Sequence, residues 1–313
     1  MTFIILLQAL FATSFPMGKY LLGFVSPLFL SGTRMLIAGT ILLIYQYLLP
    51  SAQFKFKTKH FWIFAQIVVL GMYATYGLRL YALEVLPVWK TAFFYNLSPF
   101  LSAIYAYLLF GEKLSQKQWF GLAVGLVGMM PILISKSPAE ASLTEIFYIS
   151  KYELYLILSV TLHCYSWVLI QKLVRNKNYQ PSMVNGIAMT CGGLLSLISS
   201  YANEGAAQIT NPPAFFSGLL VMVFVSNILC HNLYAGLLKK YSATFMSFTS
   251  FLSPLFAALY GWAFFHEKIS WHFYSSAIIV FLGLYIFYQD ELRKQANHLE
   301  KDLEKDLEKE LRI

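Results

Sequence analysis

The chain is patterned in long apolar runs separated by short polar breaks. Ten runs can be marked, at 2–22, 27–49, 61–83, 87–110, 116–134, 152–174, 182–202, 214–238, 241–265 and 271–289. A bilayer core of about 30 Å takes ~20 residues of helix, so each run is long enough to cross. The pattern predicts an all-α integral membrane protein with ten transmembrane helices. The first run lacks a basic leading segment, contains Lys19 and has no clean A-x-A cleavage site, so it is read as a retained helix rather than a signal peptide.

Composition agrees and excludes a water-soluble globule. Hydrophobic residues make up 58% of the 313 and charged residues only 12%, against roughly 25% charged in soluble domains. Of 23 Lys plus Arg and 15 Asp plus Glu, 14 lie in the segment 290–313. That segment has leucine at 299, 303, 307 and 311 with charges between, and reads as a charged C-terminal helix on the cytoplasmic side. The remaining cations stand singly or in small groups between the apolar runs, which suits topogenic charge and not a nucleic-acid-binding face. With the amino terminus inside, even-numbered connections hold ten Lys and Arg and odd-numbered ones four, so both termini are expected in the cytoplasm. Three cysteines, with no CxxC pair, indicate neither a disulfide framework nor a metal site.

The chain also repeats itself. A shift of 155 residues lays Leu97-Ser98-Pro99 on Leu252-Ser253-Pro254 and Glu112-Lys113 on Glu267-Lys268, with nine of nineteen positions from 97 to 115 identical. Two halves follow, 1–135 and 152–289, joined by an outer loop 136–151 and followed by the tail 290–313. Five crossings is an odd number, so the second half must insert upside down. Two inverted five-helix repeats are the architecture of alternating access.

Within the runs, a few residues could carry chemistry. Pro99 and Pro254 sit mid-helix at matched positions and deprive the carbonyls of Tyr95 and Ser250 of their helical partners, which marks either packed kinks or broken helices lining a cavity. Lys19, Arg34 and Arg79 are charges within crossings. They either snorkel or form an outward-facing basic patch for an anionic group, with Glu84 as counter-charge. His163 and Trp167 share one face of helix six, and Asn227, His231 and Tyr234 one face of helix eight. Tyr73 and Tyr76, with Trp89, Phe93 and Asn96, offer stacking for a planar or cationic group. The expected solute-binding set is Lys19, Arg34, Tyr73, Tyr76, Trp89, Phe93, Asn96, His163, Trp167, Asn227, His231 and Tyr234, with no catalytic residue, metal or cofactor. No carboxylate lies deep in a crossing. Gly121 and Gly125 form a small-xxx-small pair suited to packing within the chain, so a monomer or weak homodimer is expected.

No phosphate loop, H-E-x-x-H or G-x-S-x-G is present, so neither ATP hydrolysis nor an enzyme is indicated. The repeated S-P-x(12)-E-K pattern, the ten crossings, Lys19 at the end of helix one and Arg34 in helix two resemble the drug/metabolite transporter superfamily, its EamA branch. Ala12-Thr13 replaces the Trp-Gly usual there, and the tail lies outside the pattern. The resemblance implies a bacterial inner-membrane carrier with a cavity lined by helices one, three, four, six, eight and nine. Its solutes would be amino acids, nucleotide-bearing metabolites or amphipathic drugs. Basic groups, aromatics and His–Asn pairs suit a solute with a carboxylate and a planar or cationic part. An amino acid fits, as does S-adenosylmethionine, which carriers of this family import into some intracellular bacteria. A facilitator or exchanger is the simplest mechanism; drug efflux, a channel or a scaffold are the other readings.

Overall fold

The computed structural model describes residues 2–48, 56–111, 114–134, 150–266, 271, 274–283, 285–287, 289–290 and 293. The loop 136–151 up to its last two residues, the pairs Glu112-Lys113 and Glu267-Lys268, and the tail from 294 onward lie outside the described residues. Among those described there is no strand.

Two compact units make up the chain. The first covers 1–110 and 136–269 and, among the described residues, holds eight helices long and apolar enough to cross a membrane. They are α1 Phe3–Leu22, α2 Pro27–Leu48, α3 Thr58–Val85, α4 Val88–Phe110, α6 Lys151–Asn176, α7 Pro181–Asn203, α8 Pro212–Leu237 and α9 Ala243–Phe265. The second unit covers 111–135 and 270–313 and contains α5 Gln116–Ile134 and the shorter apolar helix α10 Tyr274–Phe287. Large apolar side chains such as Leu108, Ile198, Leu220 and Phe224 point outward and are exposed, as lipid contact requires.

Glycine sets the closest helix contacts. A Cβ on Gly39 of α2 would lie 2.4 Å from the backbone nitrogen of Thr190 on α7, and one on Gly193 of α7 would lie 2.6 Å from that of Leu36 on α2. Only hydrogen fits there, so the two backbones touch, the mode of association favoured where lipid removes the hydrophobic drive. In the second unit, a Cβ on Gly283 would meet the Gly121 carbonyl at 2.7 Å and the Gly125 nitrogen at 2.9 Å. The small-residue pair of α5 thus packs within the chain.

Several helices are irregular, three of them next to a proline. α1 breaks at Thr13, three residues before Pro16, whose ring cannot accommodate the carbonyl of Ala12. α4 runs as an α-helix over Val88–Phe94, tightens to a 3₁₀ turn over Tyr95–Leu97 and resumes at Ser98. α9 does the same at Ala243–Thr249, Ser250–Leu252 and Ser253. The carbonyls of Tyr95 and Ser250 are not left open, however: each accepts the backbone N–H three residues on, from Ser98 and Ser253. α8 widens to a π-helix over Val223–Cys230, and α3 likewise over Ile67–Ala74.

Glu204, just past α7, ties three helices together. Its carboxylate accepts the backbone N–H groups of Leu28 (2.9 Å) and Phe29 (3.3 Å) at the start of α2, and the hydroxyls of Tyr81 (2.9 Å) and Ser200 (2.8 Å). An anion at a helix N-terminus is favoured by the helix dipole. Burial alone would raise this carboxyl, but the bonds from Ser26, Leu28, Ser200 and Tyr81 outweigh it and hold it below the usual carboxylate range.

Candidate functional site

Within the first unit a cavity is lined by six helices, and irregular backbone lines much of it. About 610 Å³ of space, part of it open to the outside, lies among side chains of α1, α3, α4, α6, α8 and α9. These are the six helices that the resemblance implied.

Along α1 the stripe Gln8, Phe11, Phe15 follows the i, i+3, i+7 rule. Gln8 is anchored at both ends of its amide: Nε2 donates to Thr249 (2.8 Å), and Oε1 accepts from Ser253 (3.0 Å). It therefore bridges the break in α9. Ser247, Ser250 and Ser253 recur at every third residue through that break and all reach the cavity, because a 3₁₀ turn stacks i on i+3. The two breaks meet there: the hydroxyls of Ser98 and Ser250 are 3.0 Å apart, and those of Ser102 and Ser247 2.6 Å.

The opposite wall is cationic and aromatic. Arg79 is 5% exposed, and its guanidinium lies 4.7 Å from the ring centre of Tyr76, 5.3 Å from Phe15 and 6.0 Å from Tyr95. Its Nε and Nη2 have no hydrogen-bond partner. Arg34, fully buried, lies 4.6 Å from the same Tyr76 ring. Its Nη1 reaches only the sulfur of Met222 at 3.6 Å, while Nε and Nη2 are unpartnered. Buried charges are ordinarily paired; here two guanidiniums share aromatic faces instead.

His231 is held by the π segment of α8. Its Nδ1 lies 2.7 Å from the Ser226 carbonyl, and its Nε2 meets the Tyr76 hydroxyl. A carbonyl can only accept, so a neutral imidazole with its proton on Nδ1 satisfies both contacts, with Tyr76 donating. On α6, the Trp167 indole N–H donates to His163 Nε2 at 3.0 Å. The Trp167 ring lies 4.2 Å from Tyr234 and 5.7 Å from His231.

Of the residues expected from sequence, Tyr76, His163, Trp167, His231 and Tyr234 come together in this lining. The others stand elsewhere. Lys19 places its ammonium on the carbonyls of Leu83, Glu84 and Leu86 at 2.8, 2.9 and 3.2 Å, capping the end of α3; it is the main chain of Glu84 that it engages. Arg34 stands behind Tyr76. Tyr73 accepts a hydrogen bond from Ser199 on α7 at 2.9 Å. Asn227 points its amide at the sulfur of Met35, 3.2 Å away, and Ser226 takes its place in the lining. On α4, Tyr95 and Ser98 face the cavity, whereas Trp89, Phe93 and Asn96 are not in the lining. Pro99 and Pro254 shape the breaks, and the serines before them face the space. For Tyr73, Asn227 and Asn96 the cause is local: 3.6-residue spacing drifts off target where the helix is π or 3₁₀. Arg79 was singled out from sequence as a charge within a crossing; Gln8 and Phe11 were not, although both lie on one face of α1 three residues apart.

Comparison with known proteins gives the family. The EamA-like transporter family model matches residues 1–134 and 150–289. The S-adenosylmethionine/S-adenosylhomocysteine transporter of Chlamydia muridarum (strain MoPn / Nigg) is 31% identical over 296 residues, 93% of this chain and 92% of that protein. The transporter of the same name from Chlamydia trachomatis serovar D is also 31% identical, over 299 residues covering 93% and 90%. A protein of known crystal structure superposes with a TM-score of 0.70 over 93% of this chain and 97% of its own at 14% identity, a shared fold. A family match along nearly the whole chain, on helices long and apolar enough to cross a bilayer, makes this a multi-pass membrane transporter that belongs to the EamA-like transporter family.

Proposed function

We propose that the protein carries an S-adenosylmethionine-type solute across a bacterial inner membrane by alternating access, as facilitator or exchanger. One observation carries the reading: the guanidinium of Arg79, with Nε and Nη2 unpartnered, in a buried aromatic cavity. A desolvated cation without a counter-charge favours a ligand that brings one, and the planar fork of Arg suits a carboxylate. The rings of the site suit a cationic centre, and the names of the chlamydial relatives point to an S-adenosyl solute.

Ten crossings in two inverted repeats, 1–135 and 152–289, with both termini cytoplasmic, complete the proposal. Paired irregularities support it. The Pro99 break is matched by that at Pro254. The π segments of α3 and α8 are each eight residues long, and each is followed by a side chain bonded to the carbonyl five residues back, Thr75 to Leu70 and His231 to Ser226. Gly32 and Gly39 of α2 answer Gly186 and Gly193 of α7.

Thermal unfolding of the purified protein in detergent, against amino acids, S-adenosylmethionine, nucleosides and quaternary amines, tests the substrate. A ligand at 100 times its Kd adds about 2.7 kcal/mol. A saturable shift with S-adenosylmethionine that is absent in Arg79→Ala is expected; a shift confined to nucleosides or to amines without a carboxylate contradicts the reading.

A further inference from the structure

Three aromatic rings from three helices meet at one end of the cavity. Trp167 of α6 and Tyr234 of α8 lie 4.2 Å apart at 45°, and Phe11 of α1 stands 5.8 Å from Tyr234 at 79°. His231 separates this group from the guanidinium of Arg79. Its Nε2 meets Tyr76, which Arg79 covers, while its ring packs on Phe11 at 5.3 Å and on Trp167 at 5.7 Å.

We propose that Phe11, Trp167 and Tyr234 form an onium subsite, which holds the sulfonium centre of the solute while Arg79 holds its carboxylate. The inference rests on the S-adenosyl reading above and adds which residues distinguish the methylated from the demethylated form.

Geometry argues for an onium over the alternatives. A planar base slides between parallel faces, and these rings are tilted or edge-on to one another. The Trp167 N–H is already engaged by His163, which leaves the Tyr234 hydroxyl as the one polar atom of the three rings open to the solute. What this wall offers is mainly π faces. A primary ammonium would find at most the Tyr234 hydroxyl for its three N–H donors, whereas a sulfonium or quaternary ammonium has none and is attracted by the ring quadrupoles. A thioether lacks the charge and gains nothing from them.

Equilibrium binding of S-adenosylmethionine and S-adenosylhomocysteine to the full-length protein in detergent tests this. Trp167→Leu is expected to weaken the sulfonium ligand about tenfold and the thioether less than about threefold, with Trp167→Phe restoring most of the difference. The thioether affinity reports that the site is still folded. Where Trp167→Leu does not yield folded protein, Phe11→Leu reads the same ratio. Equal losses for both ligands, or no loss for either, overturn the subsite. Absence of binding of both ligands to the wild type overturns the substrate reading and the subsite together.

Discussion

On the proposed reading Arg79 is the side chain on which the site depends, and its neighbours explain why. It is buried, unpartnered through Nε and Nη2, and surrounded by Tyr76, Phe15 and Tyr95. A charge-assisted bond is worth about 1.5–3 kcal/mol, so Arg79→Ala should raise the Kd of a carboxylate-bearing solute by about 10- to 150-fold, read by calorimetry. Arg79→Lys should not restore it, since an ammonium lacks the planar fork. Arg34 contrasts with it: fully buried and away from the lining, it carries a desolvated charge with only a sulfur contact. Arg34→Met should therefore leave the solute-free protein as stable or more stable in a detergent melt; a large drop in Tm would count against that account. Glu204 supplies the pH dependence. Its folded pKa is depressed, so its contribution is present above the unfolded carboxylate value and is lost as pH falls through the folded one. Glu204→Gln should lower stability at pH 7 and converge with the wild type in acid. Residues were legible from sequence where helical spacing is unbroken, as for His163 with Trp167 and His231 with Tyr234. Asn227, Tyr73 and Asn96 were not, because π and 3₁₀ segments turn them off the stripe.

At the scale of elements, the backbone breaks place the site. The doubled Leu-Ser-Pro was readable as two interruptions, and both occur, at Tyr95–Leu97 and Ser250–Leu252. That the freed carbonyls close locally onto Ser98 and Ser253 was not readable, since a proline states which bond is lost and not what replaces it. The π segments have no comparable residue signal; Ile67–Ala74 and Val223–Cys230 read as ordinary apolar helix. Close packing of α2 on α7 yields a direct prediction. Gly39→Leu would force a side chain into the backbone of Thr190, and should destabilise by about 1–3 kcal/mol or more, seen as a lowered Tm. Substitution at Gly236, where nothing lies within 4 Å of an added Cβ, is the control.

For the whole molecule, apolar run length and composition were enough to place it in the membrane, because a bilayer core admits little besides helices. The family followed from the repeated motif, and the six cavity-lining helices from the resemblance. Which side chains of those helices converge had to come from the fold. The central claim is that a carboxylate-bearing S-adenosyl solute is carried through a cavity anchored at Arg79. Uptake of radiolabelled S-adenosylmethionine into proteoliposomes, wild type beside Arg79→Ala, tests it most directly. Saturable uptake that is inhibited by S-adenosylhomocysteine and lost in the variant is the predicted result; uptake no faster than in empty liposomes, or undiminished by Arg79→Ala, would contradict it.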